Sequence, residues 1–241
     1  MNNKKVLAGM SGGVDSSVAA AILLERGYEV IGATIAPFDT GVAENPEVAA
    51  ARKKTSIDDA AEVCSKLGIR HLVFDFSETF RREVIDYFVS EYLNGRTPNP
   101  CVHCNPIIKW GLLLEKADSL DAAFIATGHY ANVIFDDAEG RYFIRKGADN
   151  KKDQSYFLWK LTQKQLKRTI FPLGGMIKDE TREKAKEIGL SIHQKADSQE
   201  VCFIPDDDYR NFLRKILPDI DEKIGKGRII FEGKEAGTHS G

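Results

Sequence analysis

The first half of the chain alternates short, unbroken apolar runs with longer stretches in which apolar residues recur at helical spacing. The runs fall at 5–8, 29–35, 69–76 and 122–127, rich in Val, Ile and Ala. Runs of this kind mark strands buried on both faces. Between them, 16–26, 56–67, 77–94 and 105–117 read as helices. Gly27, Gly68 and Gly95 stand where three of these helices should stop, and Ser56 with Asp59 resembles a capping box. Regular alternation of strand and helix predicts a doubly wound α/β fold of Rossmann-like type, a parallel sheet with helices on both faces.

The pattern changes after Gly128. Residues 131–135 and 142–146 alternate around the turn DDAEG and predict a hairpin. Helical spacing returns at 162–169, 179–188 and 207–216. The shift puts a boundary near Lys151. The expected organisation is a nucleotide-type α/β domain over 1–150, a smaller, mostly helical domain over 151–218, and a final segment over 219–241. That last segment, ending GRIIFEGKEAGTHSG, reads as the opening hairpin of a further β unit.

Composition narrows the picture modestly. With 241 residues, 42% of them hydrophobic, the chain can build one large core or two smaller ones. No apolar run is long enough to span a bilayer, so no membrane partner is expected. The start, MNNKKVLAGM, lacks the apolar core and cleavage site of a signal peptide, and a cytoplasmic protein is expected. A net charge of −2 argues against a globally basic nucleic-acid binder. RNA contact would have to come from local patches such as RKK at 52–54, NKK at 150–152 and KQLKR at 164–168, each of which also reads as plain solvated surface.

The stretch LAGMSGGVDSSVAA carries the first chemical signal. A helix start offers unpaired N–H groups and the positive end of a dipole, and glycines let a phosphate approach the backbone. Ser11, Ser16 and Ser17 add hydroxyls. The pattern is neither the Walker loop nor the dinucleotide fingerprint. The plain alternative is a tight strand–helix turn with Ser16 as its N-cap. The full string SGGVDSS resembles the loop of the ATP pyrophosphatase (PP-loop) superfamily, which cleaves ATP between its α and β phosphates. A second signal is FIATGHY at 124–130. There Gly128 and His129 follow a strand at the carboxyl edge where α/β sheets bind ligands. His129 reads equally as a substrate contact or as a hydrogen-bonded structural histidine.

The four cysteines, Cys64, Cys101, Cys104 and Cys202, point in a cytoplasmic chain to catalysis or metal rather than to structural disulfides. Cys64 falls on the apolar face of the 56–67 helix and reads as core. In GRTPNPCVHCNPIIKW, Cys101 and Cys104 sit on an irregular loop ahead of a helix starting at Asn105–Pro106. Cys104 at that start is expected to have a lowered pKa. The Cys-x-x-Cys pair lacks a second half for zinc. By itself, Cys202 in SQEVCFIP reads as a buried small residue.

The strings SGGVDSS, GRTPNPCVHCN, ATGHYA, KKDQSYFLW and SQEVCFIP occur together and in this order. Together they closely resemble the bacterial tRNA-specific 2-thiouridylases over essentially the whole chain. The resemblance implies an adenine nucleotide alpha hydrolase-like fold and an ATP-dependent sulfurtransferase acting on C2 of the wobble uridine. It implies ATP with Mg2+, tRNA as substrate, and a sulfur-donor protein, either a cysteine desulfurase or a sulfur relay. By position, Cys202 matches the persulfide carrier, and Cys104 the thiol that completes release through a Cys104–Cys202 disulfide. Gly9, Met10, Ser11, Gly12, Gly13, Val14, Asp15 and Ser16, with Ile35 and Gly128, match nucleotide contacts; Asp15 is assigned to magnesium or to loop geometry. Asn99, Pro100 and Cys101 match the segment that meets the target base, and His129, Lys152, Asp153 and Gln154 match tRNA contacts. No resident metal site is expected.

Two departures stand out. Many relatives carry aspartate where this chain has Cys101, which is read here as a tolerated replacement rather than a third redox thiol. The family also continues into a C-terminal β-barrel, of which 219–241 would be only the beginning; weakened tRNA binding with retained ATP binding is expected of this chain. Two other readings remain open: an amide-forming PP-loop synthetase, which needs no paired thiols, and a nucleotide- or zinc-binding module.

Overall fold

The structure is a computed structural model that describes residues 4–36, 46–194, 201–204 and 208–239. Its centre is a parallel sheet of five strands: β1 (Lys5–Gly9), β2 (Glu29–Ile35), β3 (Arg70–Phe74), β4 (Phe124–Ala126) and β7 (Thr169–Ile170), in the order β3-β2-β1-β4-β7. β1 lies in the middle, with Leu7 beside Ile31 on one side and Ile125 on the other. Its unbroken apolar sequence has a direct cause. Val6 and Ala8 point into a core with Val18 and Leu23 of α1 (Val14–Glu25). Leu7 points the opposite way, into a core with Phe80, Trp110 and Ile125. Neither face meets water, so alternation has nothing to record.

Helix α2 (Pro46–Lys66) follows β2. Two composite helices, α3 over 77–93 and α4 over 100–119, each contain a π-helical stretch, Arg81–Ile85 in the first and Asn105–Leu112 in the second. The predicted hairpin is present as β5 (Ala131–Asp136) and β6 (Arg141–Lys146). Short helices α5 (Gln163–Lys167), α6 (Lys178–Glu187), α7 (Tyr209–Ile216) and α8 (Ile220–Ile224) precede the final hairpin of β8 (Gly227–Phe231) and β9 (Lys234–His239). Asp207, the expected start of α7, lies outside the described residues.

Three local expectations change. Helix α2 runs straight through Ser56 and Asp59, so they cap nothing; the alanine-rich turns before them continue the helix. Helix α1 begins at Val14, with Gly13 rather than Ser16 as its N-cap. Helix α4 begins at Pro100, five residues before the expected start, because the Asn99 side chain accepts the Val102 N–H at 3.2 Å and caps it. β7 completes the sheet, and Leu158, Leu166, Phe171, Phe203 and Phe212 share a core with Leu7 and Trp110.

Candidate active site

The chain runs β1-β2-β3 toward one side of the sheet and β4-β7 toward the other, so the topology switches between β1 and β4. The loops leaving the carboxyl ends of these two strands border a crevice there. After β1 comes Met10–Gly13. Gly12 takes φ +70°, and a Cβ on it would lie 2.8 Å from the Ser56 carbonyl oxygen. Glycine is required both by the left-handed backbone and by the helix packed beneath it. The Ser16 hydroxyl accepts the Ser11 N–H at 3.2 Å and donates to the Gly13 carbonyl at 3.1 Å. It therefore braces the loop from inside. The N-cap, Gly13, brings no side-chain hydrogen bond to the first N–H groups of α1, the kind of donors that bind an anion at a helix start. Below the loop, the Thr34 hydroxyl donates to the Met10 carbonyl at 2.9 Å and accepts from His71 Nε2 at 2.7 Å. Burial lowers the His71 pKa. Ile35 closes β2 at the same edge.

After β4, Gly128 lies against the start of α1. A Cβ there would stand 2.7 Å from the Asp15 carbonyl carbon and 2.8 Å from the Ser16 nitrogen. Asp15 itself turns away from the crevice. Its Oδ1 accepts the Lys178 ammonium at 2.7 Å and the Tyr130 hydroxyl at 2.8 Å. Of the two roles considered for Asp15, this geometry supports loop positioning.

His129 is held at both nitrogens. Lys109 Nζ stands 3.4 Å from its Nε2, and Thr127 Oγ1 stands 2.7 Å from its Nδ1. An ammonium can only donate, so Nε2 accepts and Nδ1–H donates to Thr127. Burial, and then the Lys109 charge, hold its pKa well below 6.5. It is a neutral imidazole at neutral pH.

Helix α4 carries the thiols. Trp110, fully buried, donates to Thr169 Oγ1 at 2.6 Å and fixes the helix to β7. Asn105 donates to the Phe157 carbonyl at 2.9 Å. Cys104 thus sits beyond the first helical turn. The expected lowering of its pKa does not occur: burial, reinforced by Cys202 and Cys101 and opposed by Lys109, pushes it up from 9.0 to about 12. A helix dipole contributes at most about 1 kcal/mol, less than a tenfold change in ionisation, and only near the terminus. Cys101, in the first turn, is raised by burial and drawn down by Lys109.

Cys202 arrives from the far end of the chain, seated by Phe203, whose ring lies 5.6 Å from Phe80 and 5.4 Å from Phe88. Surrounding protein raises its pKa, Cys101 adds to the rise, and Lys109 opposes it. Cys202 is nevertheless exposed to solvent. Crowding and access together describe a thiol on the wall of a cleft. All four cysteines are free, and the implied Cys104–Cys202 disulfide is not formed in this structure. Cys64 is buried, pushed up to about 11 by burial alone, as its core reading implies. Among the described residues, no three His, Cys, Asp or Glu side chains are grouped to hold a metal.

The loop and the thiols are therefore linked through a short chain of contacts. Ser16 touches Gly128, His129 follows it, Lys109 bonds to His129, and the Lys109 charge reaches Cys101, Cys104 and Cys202. The remaining candidates shape the rim. Pro100 is buried beside its cap. Asp153 accepts the Gly147 N–H at 2.9 Å and the Ser155 hydroxyl at 2.8 Å. Gln154 Oε1 accepts the Tyr130 N–H at 3.1 Å, tying 152–154 to the loop of His129. Lys109, Lys178 and Tyr130 were missed in the sequence. The one available signal was a lysine inside the apolar stretch PIIKW.

The family model described as "tRNA methyl transferase HUP domain" matches residues 4–206. A tRNA-specific 2-thiouridylase MnmA of Heliobacterium modesticaldum is 51% identical over 237 residues, covering 98% of this chain and 61% of that protein. A protein of the same name from Desulfitobacterium hafniense is 50% identical over 240 residues, covering 99% of this chain and 64% of its own length. The chain thus spans somewhat under two thirds of these relatives. Among solved structures, a 4-thiouridine synthetase–RNA complex with bound ATP aligns with a TM-score of 0.51 at 20% identity, covering 91% of this chain and 52% of that one, a likeness of fold. The chain belongs to the tRNA-specific 2-thiouridylase family.

Proposed function

We propose that this chain catalyses the ATP-dependent replacement of the C2 oxygen of a tRNA wobble uridine by sulfur. What supports the reading above all is the contact path from the phosphate loop through Gly128, His129 and Lys109 to the thiols. ATP supplies the adenylyl group that makes the C2 oxygen a leaving group. The free N–H groups at the start of α1, in a loop braced by Ser11 and Ser16, hold the departing pyrophosphate. Magnesium is expected to arrive with those phosphates. The loop's own carboxylate, Asp15, is already bonded to Lys178 and Tyr130 and does not fit a protein-held ion.

The terminal sulfur of a persulfide on Cys202 attacks C2, and AMP leaves. The Cys104 thiolate then attacks Cys202 Sγ. The S–S bond breaks, its electron pair stays with the sulfur on C2 as the thiocarbonyl forms, and a Cys104–Cys202 disulfide remains. With its pKa near 12, Cys104 needs the Lys109 charge to ionise. Neutral His129, donating to Thr127 and accepting from Lys109, orients the lysine whose charge the thiols feel. The partners are tRNA and a protein that delivers persulfide sulfur, and the setting is the cytoplasm. Incubation with ATP, a persulfide source and unmodified tRNA, followed by nucleoside analysis, tests the reading. 2-Thiouridine should form, and should vanish on omission of ATP or with Cys104→Ser or Cys202→Ser.

A further inference from the structure

Three thiols stand where the thiolation described above uses two, and the placement of Cys101 argues against its sequence reading as a tolerated replacement. Cys101 and Cys104 lie three residues apart on one α-helical turn, Pro100–Cys104. That spacing sets their Cα atoms about 5 Å apart, inside the roughly 4.4–6.8 Å range a disulfide requires. Cys101 also bears electrostatically on Cys202, and both raise Cys104, so the three thiols lie within electrostatic reach of one another.

We propose that Cys101 is a resolving thiol: it attacks Cys104 in the Cys104–Cys202 disulfide, forms a Cys101–Cys104 disulfide within the helical turn, and returns Cys202 to its free state. The step is a thiol–disulfide exchange. Cys101 loses its proton, the new bond forms to Cys104 Sγ, the Cys104–Cys202 bond breaks, and Cys202 leaves as a thiolate that takes up a proton. No net oxidation occurs. A dithiol reductant from solution then reduces the Cys101–Cys104 disulfide in a two-electron exchange and resets the site.

The direction of attack follows from the surroundings. Exchange is faster when the leaving thiol is the more acidic one. Cys104, held by burial at about 12, is a poor leaving group, whereas Cys202 is exposed to water that can stabilise its thiolate, so attack at Cys104 with departure of Cys202 is preferred. Lys109 stabilises the attacking thiolate. The helix also holds Cys101 permanently beside Cys104, whereas Cys202 reaches it from a distant segment. An intrahelical partner acts at the higher effective concentration. The proposal rests on the thiolase reading only for the origin of the first disulfide.

The test is made on the full chain without RNA or nucleotide. The reduced protein is treated with one equivalent of diamide, quenched in acid at intervals, alkylated, and mapped by mass spectrometry. Both disulfides are expected at the earliest times, with Cys104–Cys202 then declining as Cys101–Cys104 grows until the latter exceeds it by about tenfold. In Cys101→Ser the first disulfide should accumulate and persist. Three results would overturn the proposal: Cys104–Cys202 as the lasting disulfide of the unaltered protein, a Cys104–Cys202 population that decays no faster than in Cys101→Ser, or thiols held by a bound metal and unreactive until it is removed. Successful exchange without 2-thiouridine formation in the separate assay would sink the thiolase reading and leave the dithiol standing.

Discussion

The Lys109 ammonium lies 3.4 Å from Nε2 of His129, and the same charge lowers the pKa of Cys101, Cys104 and Cys202. One side chain thus joins the loop at the end of β4 to the thiols of α4. Replacing it by methionine keeps the aliphatic stem and removes the charge. All three thiols should then ionise less readily. Their alkylation rates at pH 8 should fall about three- to tenfold, while Cys64, which Lys109 does not influence, should be unchanged. Residue-resolved mass spectrometry separates the four sites.

Alkylation should also report the ranking of the thiols. With a pKa near 12, Cys104 should gain about tenfold in rate per pH unit from 7 to 10 without a plateau. The linked effect on stability has a definite sign. Cys104 and Cys64 bind their protons more tightly folded than unfolded, where thiols titrate near 8.5. Their contribution is complete below that pH and is lost as pH rises toward 11–12. The unfolding midpoint should therefore fall between pH 9 and 11, and fall less in Cys64→Ala, compared with its own value at pH 7.

Lys178 and Asp15 form a partly buried pair at 2.7 Å, with side-chain exposures of 10% and 34%. Breaking a fully buried pair costs about 3–5 kcal/mol and an exposed one under about 1 kcal/mol. Lys178→Met should fall between, at about 1–3 kcal/mol by denaturant midpoint. It should also weaken nucleotide binding, because Asp15 then loses the partner that helps hold the start of α1 in place. Adding Asp15→Asn should restore part of both.

Gly128→Ala places a methyl group 2.7 Å from backbone that cannot step aside. The loop must shift, and nucleotide affinity should drop about tenfold or more while helix content stays constant. Gly175→Ala meets nothing within 4 Å and serves as the unaffected control. Calorimetric titration with a non-hydrolysable ATP analogue reads both.

The strand–helix alternation was legible because burial on both faces of β1 leaves an all-apolar run with a glycine loop at its end. The thiols were legible as motif. Their chemistry was not: the cap at Asn99 moves the helix start to Pro100, and the burial of Cys104 depends on Trp110 reaching Thr169 across the sheet. β7 was not legible either: it has two residues, too few to leave a periodic signal, yet Thr169 and Ile170 pair with β4 in the main sheet. Lys178 carried no local mark and Lys109 only its place in the apolar stretch PIIKW, since their roles exist only where distant segments meet. No helix of the described residues is long and apolar enough to cross a membrane.

Coupling between the nucleotide loop and the thiols is tested most directly by measuring AMP and 2-thiouridine together, with tRNA, ATP and a persulfide source, in the unaltered protein and in Cys202→Ser. The two products should appear in equal amounts in the first; in the second neither should form, because AMP leaves only when sulfur attacks, and pyrophosphate release should stop at one adenylated tRNA per turnover. Thiolated tRNA formed without ATP, or formed equally well by Cys202→Ser, would contradict it.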